Sequence, residues 1–180
     1  MFENIIKNVH NRHPLIHCIT NYVSINDCAN IVLACGGAPI MAEDINEVSQ
    51  ITSICQGLDI NIGMLNDNKL SSMLKAGATA NELGIPVILD PVGAGSSDYR
   101  IKAVQNLMSN VQFGVIGGNV SEIKAIAAKQ GIHNIAAGVY ETMQKNKSAM
   151  GVEAGIADKI TDDNIKEMAD FINKLSQKTG

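Results

Sequence analysis

The chain has 180 residues, of which 46% are apolar and 18% charged, with a net charge of −4. That profile excludes a chain disordered over most of its length, and a chain of this size buries roughly 70% of its unfolded surface, enough for one α/β domain over residues 1–180. Lys and Arg are spread along a net-acidic sequence, which argues against a nucleic-acid partner. The longest uncharged apolar run, Ile31 to Ala42, has 12 residues, short of the roughly 20 that a membrane-spanning helix needs. The start, Met1-Phe2-Glu3-Asn4, has an acid where a secretory signal would be basic, so a cytoplasmic location and reduced cysteines are expected.

In chain order, short apolar runs bounded by Gly, Pro, Asn or Asp predict strands at Leu15 to Ile19, Ala38 to Met41, Leu58 to Ile62, Pro86 to Leu89 and Phe113 to Ile116. Helix-like patterns alternate with them at intervals of about 25 residues, the size of a βα unit. The expectation is a mostly parallel sheet with helices on both faces, since near-continuous apolarity marks strands buried on two sides. Leu70, Met73, Leu74 and Gly77 share one face of a helix from about Asn66 to Leu83, and Gly84 before Ile85-Pro86 stops it. A further helix is predicted from Thr161 or Asp162 through Leu175, while residues 131–160 hold neither period for long.

Three segments have residues suited to chemistry. The run Val87-Ile88-Leu89-Asp90 ends a buried strand in a carboxylate and enters the glycine-rich turn Pro91-Val92-Gly93-Ala94-Gly95. Ligands of open α/β sheets bind at that edge, and an acid there either caps the turn or holds a divalent cation beside a phosphate. Asn119-Val120-Ser121-Glu122 follows another strand; Asn119 and Glu122 have the spacing of a capping box, and Glu122 also has the chemistry to join Asp90 in holding Mg²⁺ through water. His17-Cys18-Ile19-Thr20-Asn21 ends a strand in polar residues able to face a small ligand or simply to begin a loop. Strand alternation points His17 and Cys18 to opposite faces, which argues against a shared zinc.

Together, His17 to Asn21, Ala29-Asn30, Ala38-Pro39-Ile40-Met41, Asn61-Ile62-Gly63, the Asp90 to Gly95 turn and Gly118 to Glu122 resemble hydroxyethylthiazole kinase, an enzyme of the ribokinase-like fold. The resemblance spans about Asn11 to Ala127. It implies transfer of the γ-phosphate of ATP, with Mg²⁺, to the hydroxyl of 4-methyl-5-(2-hydroxyethyl)thiazole, in a homotrimer with sites between subunits. It further implies a thiazole pocket lined by Asn21, Val23 and Met41, Mg²⁺ near Asp90 and Glu122, and nucleotide phosphates near Asn119. Gly117 falls at the nucleotide, where the family usually has an Arg, and Met64 stands where a Thr is usual. The family's phosphoryl-transfer loop with its cysteine would follow Lys178-Thr179-Gly180, so the sheet is expected to be incomplete at its C-terminal side and no catalytic residue is assigned here. Two other readings stay open at this point: a catalytically silent thiazole binder, and a ribokinase-like kinase of another small alcohol.

Overall fold

The structure is a computed structural model that describes residues 2–129. Over the described residues two compact units are distinguished, residues 2–92 with 102–117, and residues 93–101 with 118–129. The expected helix after Thr161 and the irregular stretch 131–160 lie outside the described residues.

The first unit contains the sheet. Its elements run α1 (Phe2–Arg12), β1 (Leu15–Ile19), α2 (Ile25–Ala34), β2 (Ala38–Ile40), α3 (Val48–Ser53), β3 (Gly57–Asn61), α4 (Asp67–Glu82), β4 (Val87–Asp90), the body of α5 (Asp98–Asn110) and β5 (Val115–Ile116). All five strands are parallel, in the order β2-β1-β3-β4-β5. The expected α/β class is therefore observed, and each predicted strand is present within two residues of its expected bounds. β2 stops at Ile40 and leaves Met41 in the loop beyond it. β5 is only Val115 and Ile116, the two residues in register with Ile88 and Leu89 of β4. Pro39 sits in β2, whose only neighbour among the described residues is β1, a place where a missing N–H costs no ladder bond.

The strand order decides where helices lie. The chain steps from β1 outward to β2, then crosses back to β3 and continues through β4 to β5. Right-handed crossovers put the outward step, with α2, on one face and the return steps, with α3 and α4, on the other. Helices on both faces follow, and the core between sheet and helices holds Ile19, Leu58, Ile60, Val87, Leu89, Met73 and Leu107, all fully buried. Cys18 and Cys55 are buried as well, while Cys35 is exposed.

α4 begins where its sequence requires. The Asn66 side chain accepts the Lys69 N–H at 2.9 Å as N-cap. At the other end Gly84, with φ +68°, donates to the Asn81 carbonyl and Ile85 donates to that of Ala80. That paired closure needs the left-handed residue that glycine supplies.

The second unit is described over residues 93–101 and 118–129 and contains the first turn of α5 and all of α6 (Val120–Lys129).

Candidate active site

The connection from β1 goes to one side of the sheet and that from β3 to the other, so the gap beyond the carboxyl ends of β1 and β3 is the switch point of this topology. Small ligands of open α/β sheets bind in such a crevice because the diverging loops leave it uncovered. Asn61 is the last residue of β3, Asn21 lies two residues beyond β1, and Asp90 is the last residue of β4. Asn61 and Asp90 are register partners.

These three side chains form one hydrogen-bonded row along the sheet edge. Asn21 Nδ2 donates to Asn61 Oδ1 at 3.3 Å, and Asn61 Nδ2 donates to Asp90 Oδ2 at 2.7 Å. Asn61 Oδ1 also accepts the Gly63 N–H at 2.8 Å, which closes the loop after β3. Asn21 Oδ1 accepts from both the N–H and the hydroxyl of Ser24, at 2.9 and 3.0 Å, and so shapes the turn into α2. The fit is close: a Cβ on Gly63 would stand 2.8 Å from Asn21 Nδ2 and 2.9 Å from Asn61 Oδ1. Glycine is required there by lack of space, and the Asn61-Ile62-Gly63 motif is thereby explained.

His17 does not face this edge. It is fully buried, with Nδ1 2.9 Å from the Thr52 hydroxyl and Nε2 2.8 Å from the Ala42 carbonyl. A carbonyl only accepts, so Nε2 holds the proton it donates to Ala42. Burial pushes the imidazole below its usual range, more strongly than the Ala42 bond and the Glu47 charge push it up. Burial therefore favours the neutral ring, and the Thr52 hydroxyl beside Nδ1 donates to the Val48 carbonyl at 2.7 Å. The effect of His17 is to hold the loop after β2, directly behind Met41, which is half-buried. Val23 stands 88% exposed.

A second polar cluster borders the same loops, and it was not anticipated from the sequence. Lys69, in the first turn of α4, is 3% exposed; its ammonium donates to the Thr20 carbonyl, pairs with Glu43 Oε2 at 2.8 Å and lies 4.5 Å from the centre of the Tyr22 ring. The Tyr22 hydroxyl donates to the other Glu43 oxygen. Burial raises the Glu43 carboxyl, but the bonds from Lys69 and Tyr22 outweigh it and hold the group below the usual carboxylate range. Tyr22 is raised, first by that same bond to Glu43. Residues 20, 22, 43 and 69 are too far apart in sequence for any local pattern to join them.

In the second unit, Asn119 and Glu122 form a reciprocal capping box. Asn119 Oδ1 accepts the Glu122 N–H at 3.0 Å, and Glu122 Oε2 accepts the Asn119 N–H at 2.9 Å. Glu122 Oε1 accepts the Gly93 N–H at 2.8 Å, so the buried carboxylate also fixes the start of the glycine turn. The capping role expected of this pair is thus observed. Gly117, in the first unit, ends the β5 edge: its N–H donates to Leu89, and a Cβ on it would meet nothing within 4 Å.

The hydroxyethylthiazole kinase family profile matches residues 6–169. The chain belongs to the hydroxyethylthiazole kinase family. Hydroxyethylthiazole kinase of Clostridium acetobutylicum is 51% identical over all 180 residues, which cover 60% of that protein, and that of Desulfovibrio desulfuricans is 44% identical, with 58% of its length covered. A solved structure of a hydroxyethylthiazole kinase protein from Pyrococcus horikoshii OT3 superposes with a TM-score of 0.69 at 38% identity, over 80% of this chain and 56% of that one. The chain therefore spans about three fifths of the length of these relatives. Among the described residues, no helix is long and apolar enough to cross a membrane.

Proposed function

We propose that this chain is the thiazole-binding and metal-binding part of a cytoplasmic kinase that transfers the γ-phosphate of ATP to the hydroxyl of 4-methyl-5-(2-hydroxyethyl)thiazole. The row Asn21–Asn61–Asp90 at the switch point is the observation that supports it most. Asn21 has one Nδ2 hydrogen beyond those its partners use, a donor for a ring nitrogen or a hydroxyl oxygen. Met41 offers the adaptable apolar contact that a flat heteroaromatic ring needs.

Magnesium takes hard oxygen donors and keeps several waters, so it is served by one or two carboxylates rather than by a full protein cage. No cluster of three or more metal-binding side chains occurs among the described residues. Asp90 fits such a role at its strand end, reaching the ion through water. Within the second unit, Glu122 has each oxygen engaged by one backbone N–H and keeps a further lone pair on each, the chemistry that water-mediated contact to Mg²⁺ requires. Bound Mg²⁺ would neutralise charge on the phosphates. Asn119, at the start of α6, is assigned to the phosphates, beside N–H groups that favour anions, and Gly117 to the nucleotide.

A homotrimer is proposed from the family resemblance, and the exposed face of α2 supports association of copies. α2 buries none of its residues, and Ile31 and Leu33 stand 62% and 57% exposed, with Val23 at 88%. An apolar surface of that kind is the sort that a second copy covers, and covering it would convert Val23 from solvent-exposed to pocket-lining.

Calorimetric titration of the folded chain with 4-methyl-5-(2-hydroxyethyl)thiazole tests the reading. Saturable binding that Asn21→Ala abolishes is expected. A folded chain that takes up no thiazole alcohol, or binding indifferent to Asn21, would refute it.

A further inference from the structure

Lys69 sits where a helix least favours a cation. It is the third residue of α4, near the positive end of the dipole and at the position that a capping box gives to Glu. It is also buried, a state Lys rarely adopts unless paired. Buried ion pairs seldom stabilise a fold more than apolar residues of the same volume would, so stability alone gives no reason for it. The ammonium has three hydrogens, and three partners surround it: the Thr20 carbonyl, the Glu43 carboxylate and the face of Tyr22. With all three occupied, it is not available to hold a phosphate.

What the cluster does is join three segments. Thr20 and Tyr22 flank Asn21 in the loop after β1, Glu43 lies two residues beyond Met41 in the loop after β2, and Lys69 belongs to the helix after β3. The Tyr22 hydroxyl closes the ring of contacts on Glu43. We propose that Lys69, acting through Glu43 and Tyr22, is a positioning residue that fixes the Asn21 loop against the Met41 loop and thereby sets the affinity for the thiazole, an inference that rests on the function proposed above. Pre-ordering of two loops favours binding because ordering them afterwards would subtract from the binding free energy.

The test pairs calorimetry with thermal unfolding for four proteins: the wild-type chain, Lys69→Met, Lys69→Arg and Tyr22→Phe. Tyr22→Phe keeps the ring over the ammonium and removes only the hydroxyl bond to Glu43, at a side chain that is 54% exposed, so folding is preserved. Lys69→Met is expected to weaken thiazole binding about tenfold and Tyr22→Phe about threefold, the latter without a change in melting temperature, with Lys69→Arg recovering most of the loss. A purely structural cluster would move melting and leave the dissociation constant alone. Should Lys69→Met not fold, Tyr22→Phe decides. Wild-type affinity in both variants overturns the inference and leaves the functional reading standing; a folded wild-type chain that takes no thiazole overturns that reading and this inference with it.

Discussion

Replacing Asn61 by Asp changes one atom and isolates the donor that joins β3 to Asp90. The new carboxylate keeps the acceptor that serves Gly63 and Asn21, but at the 2.7 Å contact it sets an anion against an anion. Two unit charges that close repel by about 6 kcal/mol at an effective dielectric of 20. Taking up a proton is the cheaper route, since at pH 7 it costs about 4 kcal/mol for a group with the ordinary Asp value, and at pH 5 about 1.5 kcal/mol. A shared proton then restores a donor between the two groups. The folded variant thus binds a proton that the unfolded chain has released, so its stability falls as pH rises above about 4, by about 1.4 kcal/mol per unit. Urea unfolding of wild type and variant at pH 5, 6 and 7 measures this, and the difference between the curves cancels every group they share. A loss that widens with pH is expected; a constant loss, or none, would show that the amide does not face Asp90 as described.

His17 imposes the opposite trend on the wild type. Its pKa is lowered by burial, so below about pH 6.5 the unfolded chain takes a proton that the folded chain does not, and stability rises with pH through that region by up to about 1.4 kcal/mol per unit. His17→Gln should flatten that part of a stability profile recorded from pH 5 to 7. Gly63→Ala forces Asn21 and Asn61 apart and should cost about 1–3 kcal/mol by urea unfolding; unchanged unfolding would mean that the loop shifts freely. Gly117→Arg has open space around its Cβ. It is expected to leave stability within about 0.5 kcal/mol and, on the proposed placement of Gly117 at the nucleotide, to raise ATP affinity in calorimetry through a charge-assisted bond to phosphate; unaltered ATP affinity in a folded variant would refute that placement.

Much of the sheet was legible because strands buried on both faces cannot alternate, and Leu15 to Ile19 emerged with the predicted bounds. α4 was readable from Asn66 and Gly84, whose side chain and backbone freedom act within one helical turn. The edges were less so: β5 pairs with β4 over only two residues, fewer than the apolar run from Phe113 suggests. At the site, Asp90 could be placed at a strand terminus from its flanking residues alone, and the Asn119–Glu122 cap from spacing of three. The direction of His17 was left open, since a polar residue in a strand looks the same whether it meets solvent or a buried Thr52. The Lys69–Glu43–Tyr22 cluster had no local signature at all. Only the strand order brings the loops after β1 and β2 beside the first turn of α4, and strand order is not written in periodicity.

The cysteines give the molecule a built-in gauge of its own opening. Burial, reinforced by the Asp59 charge, pushes Cys18 up to about 12, and burial raises Cys55 too, whereas Cys35 stands in solvent. Because the thiolate is the reactive form, a thiol reagent should mark Cys35 in the native protein and reach Cys18 in mid-sheet only when β1 parts from its neighbours. The rate of that second event, followed by mass spectrometry, reports how often the central strand separates, without denaturant and without any ligand bound.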